Sequence, residues 1–217
     1  MNRDLADRLT ERLRAPLPGD AAHARFSPRP KGSVPLTRTA PADARRAAAL
    51  ILLYPTRGDD TYSLPLTVRR ADLPDHAGQI SLPGGRIDTG ETAAAAALRE
   101  TVEEIGVDPS QVTLLGSLTP LYVFVSRFLV TPFVGIAHAR PDFRPEPREV
   151  AELLEVPLEA LSRDSIRWGH RTREGYLIDF PYFHLGEYHV WGATAMMLGE
   201  FLSLLDPEFG PTENVQP

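Results

Sequence analysis

Cysteine is absent from this 217-residue chain, which excludes a disulfide framework, a thiolate nucleophile and a cysteine metal site. That fits a reducing compartment, and a cytoplasmic location is expected. Lysine is nearly absent: Lys31 is the one example, and the other basic residues are arginines, which suit bidentate phosphate contacts. Basic charge is not in excess either. Lys and Arg number 23 against 29 Asp and Glu, a net charge of −6 at pH 7, so the electrostatic footprint of a nucleic-acid binder is missing and no such partner is expected. No apolar run reaches the roughly 18 residues of a membrane span. The opening MNRDLADRLTERLRAPLPGD lacks the apolar centre of a secretory leader, so neither a leader nor a membrane partner is expected. Internal repeats and long low-complexity linkers are also missing, and the length suits one domain with a real core.

The densest chemistry lies in Gly84–Val107, GGRIDTGETAAAAALRETVEEIGV. An alanine-rich helix is expected after the turn Pro83-Gly84-Gly85, where two glycines tolerate positive φ and close backbone approach. Asp88 and Thr89 are the expected caps. Glu100, Glu103 and Glu104 stand at i, i+3 and i+4, on one face at about 100° per residue. Like charges so spaced destabilise a helix by about 0.2–0.5 kcal/mol per pair, and no Lys or Arg stands at 96, 107 or 108 to offset them. The opposite face, Ala94, Leu98, Val102 and Ile105, is expected to dock on a sheet. A bare Glu-x-x-Glu-Glu also suits an ordinary solvated surface. A hard divalent cation, which takes oxygen ligands, is the simplest compensator.

Along the chain, residues 2–14 form an amphipathic helix pattern with Leu5, Leu9 and Leu13, and 15–45, rich in Pro, Ala and Arg, reads as an extended arm. AAALILLYP (47–55) is a buried-strand pattern. Gly58-Asp59-Asp60 turns it into a second strand, YSLPLTVRR (62–70). After the acidic helix, 111–121 and 127–137 read as strands, the latter interrupted by Pro132. A proline-rich loop, 139–150, carries Glu146 and Glu149. A short strand and helical turn follow (151–161), then hairpins from SIRWGHR, YLIDFPYFHL and EYHVWG, and a closing helix over 192–205. Trp168, Trp191, Tyr182 and Phe183 are core residues or a surface on which adenine could stack. The tail from Asp206 is expected to fray. The pattern implies an α/β fold, a mixed sheet covered by helices, with divisions at 1–44, 45–205 and 206–217.

Gly85, Glu91, Arg99, Glu100, Glu103, Glu104, Gly106 and Val107 fall at the spacings of G-x5-E-x7-R-E-U-x-E-E-x-G-U, where U is a bulky aliphatic residue; only Thr101 departs. The chain therefore resembles the Nudix hydrolases. The resemblance implies an α/β/α sandwich with a mixed sheet and a central catalytic helix. It also implies hydrolysis of nucleoside diphosphates linked to another moiety, with Mg²⁺ or Mn²⁺. Upstream, LTVRRADLPDHAGQISLPGG (66–85) is similar to the segment that marks the coenzyme A pyrophosphatase branch. Leu66, Thr67, Arg69, Gly78, Pro83, Gly84 and Gly85 match, as does His76-Ala77-Gly78-Gln79. Pro65, Arg70, Pro74 and Leu82 depart, and Pro74 replaces a basic residue. Resemblance covers roughly residues 45–205 and leaves the arm, which could cover part of the sheet or mediate a homodimer.

By this resemblance Glu100, Glu103 and Glu104 are metal ligands, joined by the Gly84 carbonyl, and one of the three serves as base or orients the attacking water. Glu149 is a candidate further ligand or base, or a solvated loop acid. Glu91 and Arg99 form a bridge that orients the helix, and Gly85 and Gly106 serve backbone conformation. Arg69, Arg70, His76 and Gln79 are candidate substrate contacts. The leading expectation is cleavage of coenzyme A or its thioesters to 3′,5′-ADP and a 4′-phosphopantetheine product. Other expectations are another nucleotide substrate (ADP-ribose, NADH, a dinucleoside polyphosphate, a damaged nucleotide) and a non-catalytic binding protein.

Overall fold

A computed structural model describes residues 3–31, 39–56, 58, 61–70, 72, 78–173 and 175–210. The elements in order are α1 (Arg3–Arg14), α2 (Gly19–Phe26), β1 (Arg29–Pro30), β2 (Arg45–Pro55), β3 (Tyr62–Arg69), β4 (Ile80–Ser81), β5 (Gly84–Arg86), α3 (Ala93–Ile105), β6 (Val112–Ser117), β7 (Leu121–Val123), β8 (Phe128–Ala137), β9 (Val150–Pro157), β10 (Ile166–Arg173), β11 (Tyr176–Leu185), β12 (Tyr188–Trp191) and α4 (Gly192–Leu205). Among the described residues no helix is long and apolar enough to cross a membrane.

The architecture is set by β2, whose residues 47–54 are all buried. Strand side chains alternate between faces, so this run serves two cores at once. Ala48, Leu50, Leu52 and Tyr54 pack with Ala96, Ala97 and Ile105 of α3. Ala49, Ile51 and Leu53 pack with Leu198, Phe201 and Leu202 of α4. Leu50, Ile51, Leu52 and Leu53 are fully buried, each stabilising the fold by about 1.5–3 kcal/mol. The large sheet runs β4-β3-β2-β8-β6, with β5 on β2, β7 on β8 and β9 on β3. It is mixed: β2 and β8 are parallel from Arg45↔Phe128 to Leu53↔Ile136, and β3–β9 and β6–β8 are antiparallel. With α3 on one face and α4 on the other, this is the expected α/β/α sandwich. A second sheet, β1-β11-β10 with β12 beside β11, joins the α4 side through Phe183 and Val190.

Three expectations about the chain's course are corrected. The segment 15–45 is not an extended arm throughout. α2 forms because Ala21, Ala22, Ala24 and Arg25 are good helix formers set between the prolines, and Phe26 anchors it. The Phe26 ring stacks on Phe183 at 5.1 Å and lies over Gly199 of α4, where a Cβ would come within 2.3 Å of it. Residues 32–38 of the arm lie outside the described residues. The tail is held as far as Gly210: Phe209 is buried, and Arg25 donates to the carbonyls of Pro207 (2.9 Å) and Phe209 (2.7 Å); 211–217 lie outside the described residues. Pro132 does not interrupt β8, because its carbonyl still accepts from Leu118 N–H at 2.8 Å.

Candidate active site

The acidic helix α3 begins one residue after Thr92, whose Oγ1 accepts from Ala95 N–H at 3.2 Å. Thr92 is therefore the cap, not Asp88 or Thr89. Asp88 and Glu91 lie in the turn before it, where Asp88 N–H donates to Glu91 Oε2 at 3.0 Å. The helix stops at Gly106, which adopts φ 71° and donates its N–H to Val102 O. Its last carbonyls would otherwise be orphaned. Two of them are taken by the loop that follows β8: Arg144 N–H binds Ile105 O and Glu146 N–H binds Glu104 O, both at 2.8 Å. Helix and loop are thus hydrogen-bonded together.

The buried side of α3 is rotated from the expected stripe. Ala96, Ala97, Thr101, Glu104 and Ile105 are buried, whereas Val102 is 39% exposed. The cause is Glu104, which turns inward to accept from Gly84 N–H at 3.3 Å and carries the packed face with it. Thr101, the departure from the pattern, satisfies its hydroxyl on Ala97 O at 2.7 Å and so fits a buried position.

No basic residue stands at 96, 107 or 108, but Arg99, four residues before Glu103, supplies compensating charge. All five of its N–H donors are used. Nε and one terminal nitrogen bind both Glu91 oxygens (2.9 and 3.0 Å), and the latter also binds Arg86 O (2.9 Å). The other terminal nitrogen bridges Glu100 Oε1 (2.8 Å) and Glu103 Oε2 (2.9 Å). One guanidinium therefore ties the turn before α3 to two of its three acids.

The three carboxylates occupy different environments. Glu103 is half-exposed, while Glu100 and Glu104 are largely sheltered. The Glu100 carboxylate lies directly over Gly85, where a Cβ would sit 2.4 Å from its Cδ. Burial pushes the Glu104 carboxyl up to about 8; the Gly84 N–H opposes this, nearby Glu100 and Glu149 add to it, and Arg69 opposes it. Glu100 is also raised, by burial first, against the pull of Arg99 and with help from Glu103 and Glu149. Glu149 is thus within electrostatic reach of both acids, although it lies 45 or more residues away along the chain (149 against 100 and 104).

The geometry brings together Gly84, Gly85, Glu91, Arg99, Glu100, Glu103 and Glu104, while the charge of Glu149 is felt by Glu100 and Glu104 and that of Arg69 by Glu104. Among the described residues no three acidic or imidazole side chains converge on one point, because Arg99 holds Glu100 and Glu103 while the Gly84 amide holds Glu104. Arg69 and Gln79 sit at the β3–β4 junction, where Arg69 N–H binds Gln79 O at 2.9 Å. The guanidinium of Arg70 is bound to Asp72 and to Pro147 O. His76 lies outside the described residues. Of the aromatic candidates, Phe183 is core, fully buried, and Trp168 lies under Arg29. The carbonyl of Arg86, Thr92 and the Arg70–Pro147 contact were not foreseen. Only a Thr at the head of the alanine run could have signalled any of them.

The donor set fits a hard divalent cation. It is all oxygen, two of its acids sit largely out of water with their proton affinity raised, and Gly85 leaves room for one of them that a side chain would fill. An α/β sandwich with such an acidic helix against a glycine turn defines a hydrolase of the class that works with divalent metal ions. The family model described as NUDIX domain matches residues 44–175, and the chain belongs to the Nudix hydrolases, pyrophosphohydrolases that generally need such ions. It is similar to the uncharacterized Nudix hydrolase NudL of Pectobacterium atrosepticum, 40% identical over 162 residues covering 73% of this chain and 82% of that one. NudL of Escherichia coli is 36% identical over 162 residues, 72% of this chain and 80% of that one. Nudix hydrolase 15, mitochondrial, of Arabidopsis thaliana is 38% identical over 165 residues, 71% of this chain and 56% of that one. Among solved structures, a Nudix hydrolase from M. smegmatis, RenU, aligns with a TM-score of 0.43 at 27% identity, covering 52% of this chain and 71% of that one.

Proposed function

We propose that this protein hydrolyses the pyrophosphate bond of coenzyme A or its thioesters, releasing 3′,5′-ADP and a 4′-phosphopantetheine product. The observation that carries the hydrolytic site is the sheltered pair Glu104 and Glu100, packed against Gly84 and Gly85 with raised proton affinity. Glu100, Glu103, Glu104 and the Gly84 carbonyl would hold Mg²⁺ or Mn²⁺, which when bound would make water more acidic and offset charge on phosphoryl oxygens. Glu149, whose charge is felt by Glu100 and Glu104, accepts the proton of the attacking water or orients it. Arg99 fixes the turn and helix relative to each other, so that Glu100 and Glu103 are presented from a rigid element. Arg69 neutralises phosphate charge. Overall, one phosphorus–oxygen bond forms to water and the bridging phosphorus–oxygen bond breaks.

The choice of coenzyme A is supported by the residues of 66–85 that match that branch. One observation favours a second reading, another nucleoside diphosphate derivative. Pro74 supplies no cation, and the guanidinium of Arg70, the nearest replacement, is already bound to Asp72 and Pro147 O. The test is product chromatography with Mg²⁺ or Mn²⁺ on coenzyme A, dephospho-coenzyme A, ADP-ribose, NADH, a diadenosine polyphosphate and 8-oxo-dGTP, with Glu103→Gln as the control. Coenzyme A cut well ahead of the others, and not by the variant, is the expected result. Preferential cutting of another diphosphate moves the specificity to the second reading, and undiminished turnover by Glu103→Gln rejects the site.

A further inference from the structure

Arg70 stands where the similar branch carries a small residue, and the structure gives it a defined task. It is the first residue after β3, and its backbone N–H donates to Glu149 O at 3.2 Å. Its guanidinium is held as a fork by Asp72, with Nε to Oδ1 at 2.8 Å and a terminal nitrogen to Oδ2 at 2.7 Å. The remaining terminal nitrogen donates to Pro147 O at 3.0 Å. Arg70 therefore grips the 147–149 turn at two carbonyls, through two different parts of the residue.

That turn is held on its other side by α3. Glu146 N–H binds Glu104 O, and the turn closes on itself through Glu149 and Val150 N–H to Glu146 O. Arg148 N–H also binds Glu146 Oε1 at 3.1 Å. Immediately beyond, Val150 opposes Arg69 across β3 and β9, at an irregularity between Val68 and Arg69. The carboxylate carried by this turn is Glu149, three residues beyond the Glu146 N–H that binds the Glu104 carbonyl of α3. Carboxylates held near one another repel, so a turn that keeps Glu149 beside the acidic end of α3 must be fixed from outside. Helix α3 fixes one end and Arg70 the other.

We infer that Arg70 is a positioning residue, clamped by Asp72, that seats the 147–149 turn and so aims Glu149 at the acidic face of α3. This rests on the role given to Glu149 above. A guanidinium suits the task because it can satisfy a carboxylate and a carbonyl at once from one rigid plane. The same geometry makes Arg70 a poor substrate contact.

The test compares wild type with Arg70→Ala, Arg70→Lys, Glu149→Gln and the double variant Arg70→Ala/Glu149→Gln, using coenzyme A with Mg²⁺, alongside hydrogen exchange of the metal-free proteins. In Arg70→Ala, kcat is expected to fall about tenfold or more with KM nearly unchanged, since misplacing a group by even ~1 Å can cost up to a hundredfold. Arg70→Lys, which keeps a donor but loses the fork, is expected in between. The double variant is expected to be no slower than Glu149→Gln alone. Without any substrate or metal, amides of 146–150 are expected to exchange faster in Arg70→Ala while those of 96–105 do not. Wild-type kcat in Arg70→Ala, a loss confined to KM, an additive loss in the double variant, or unchanged exchange at 146–150 would each overturn the inference. Undiminished turnover by Glu149→Gln removes the role of Glu149, and this inference with it. An impaired Glu149→Gln beside a fully active Arg70→Ala rejects the inference alone.

Discussion

Burial strips water from the Glu104 carboxylate, and the Gly84 N–H at 3.3 Å is a weak replacement for it. The consequence can be read as a stability profile. Below its ordinary value of 4.5, Glu104 is protonated in both folded and unfolded chains; between there and about 8 the folded state keeps a proton that the unfolded chain has lost. The metal-free protein therefore loses stability as pH rises through that window. Glutamine at this position has no proton to lose. In EDTA, Glu104→Gln is expected to melt higher than wild type, with a gain that widens from about pH 5 to about pH 9 and exceeds ~1 kcal/mol at the upper end. Added Mg²⁺ is expected to raise the wild-type melting temperature at the alkaline end, because ligands of the folded state stabilise it, and to leave Glu104→Gln unmoved. Parallel melting curves in EDTA would show that Glu104 is solvated after all. Little of this was legible beforehand. The spacing of three acids pointed to a cation, but which acid turns inward depends on the Gly84 amide from a different element.

At the scale of elements, glycines decide how closely α3, β5 and the 141–149 loop approach one another. Gly106 is left-handed at φ 71°, and a Cβ there would lie 2.8 Å from Arg144 Cβ. Gly106→Ala is expected to cost about 1–2 kcal/mol from the backbone alone, and more from the displaced loop, measured as a fall in denaturant midpoint. Gly85 differs, since its added Cβ would strike the end of the Glu100 side chain rather than backbone. Gly85→Ala is expected to melt within a few degrees of wild type yet lose about tenfold or more in turnover, because Glu100 must swing aside. Equal losses of stability and turnover would refute that distinction. Elements with strong local signals were legible: β2 from its continuous apolar run, α4 over 192–205, and α3 from its alanines. The cap was misplaced because Asp88, Thr89 and Thr92 are all competent by type, and only Thr92 is followed by a helix whose third N–H it can reach. The apolar stripe was misplaced for a physical reason too. Periodicity assumes that charged residues face water, and Glu104 breaks that assumption.

For the whole molecule, the decisive contact joins the two ends of the chain. Glu200 sits within the apolar α4 and is fully buried, a position that ordinarily penalises a charge by several kcal/mol unless it is paired. Its oxygens accept from Gly19 N–H at 3.0 Å and Thr119 N–H at 3.2 Å, and pair with His23 Nε2 at 2.9 Å. Burial raises its proton affinity, but these partners outweigh that and hold its pKa below the ordinary value. Glu200 therefore stabilises the fold above its unfolded pKa, and that contribution is lost as pH falls through the lower, folded one. No local pattern could reveal this network, because Gly19 and His23 lie 181 and 177 residues from Glu200. It makes the N-terminal segment part of the core rather than an appendage to residues 45–205. Glu200→Ala is expected to destabilise by about 3–5 kcal/mol, leaving a buried imidazole and two peptide N–H groups without their acceptor. Removing residues 1–27 takes away His23 and the Phe26 ring together, and exposes Glu200, Phe183 and Phe209. The shortened chain is expected to be less stable than Glu200→Ala, since it loses the apolar packing as well. Adding Glu200→Ala to it is expected to cost less than in the full-length chain, because Gly19 and His23 are already gone and only the Thr119 N–H remains as a partner. A shortened chain that melts like the full-length protein would show that the residues after 27 close their own core, and that the His23–Glu200 pair only decorates it.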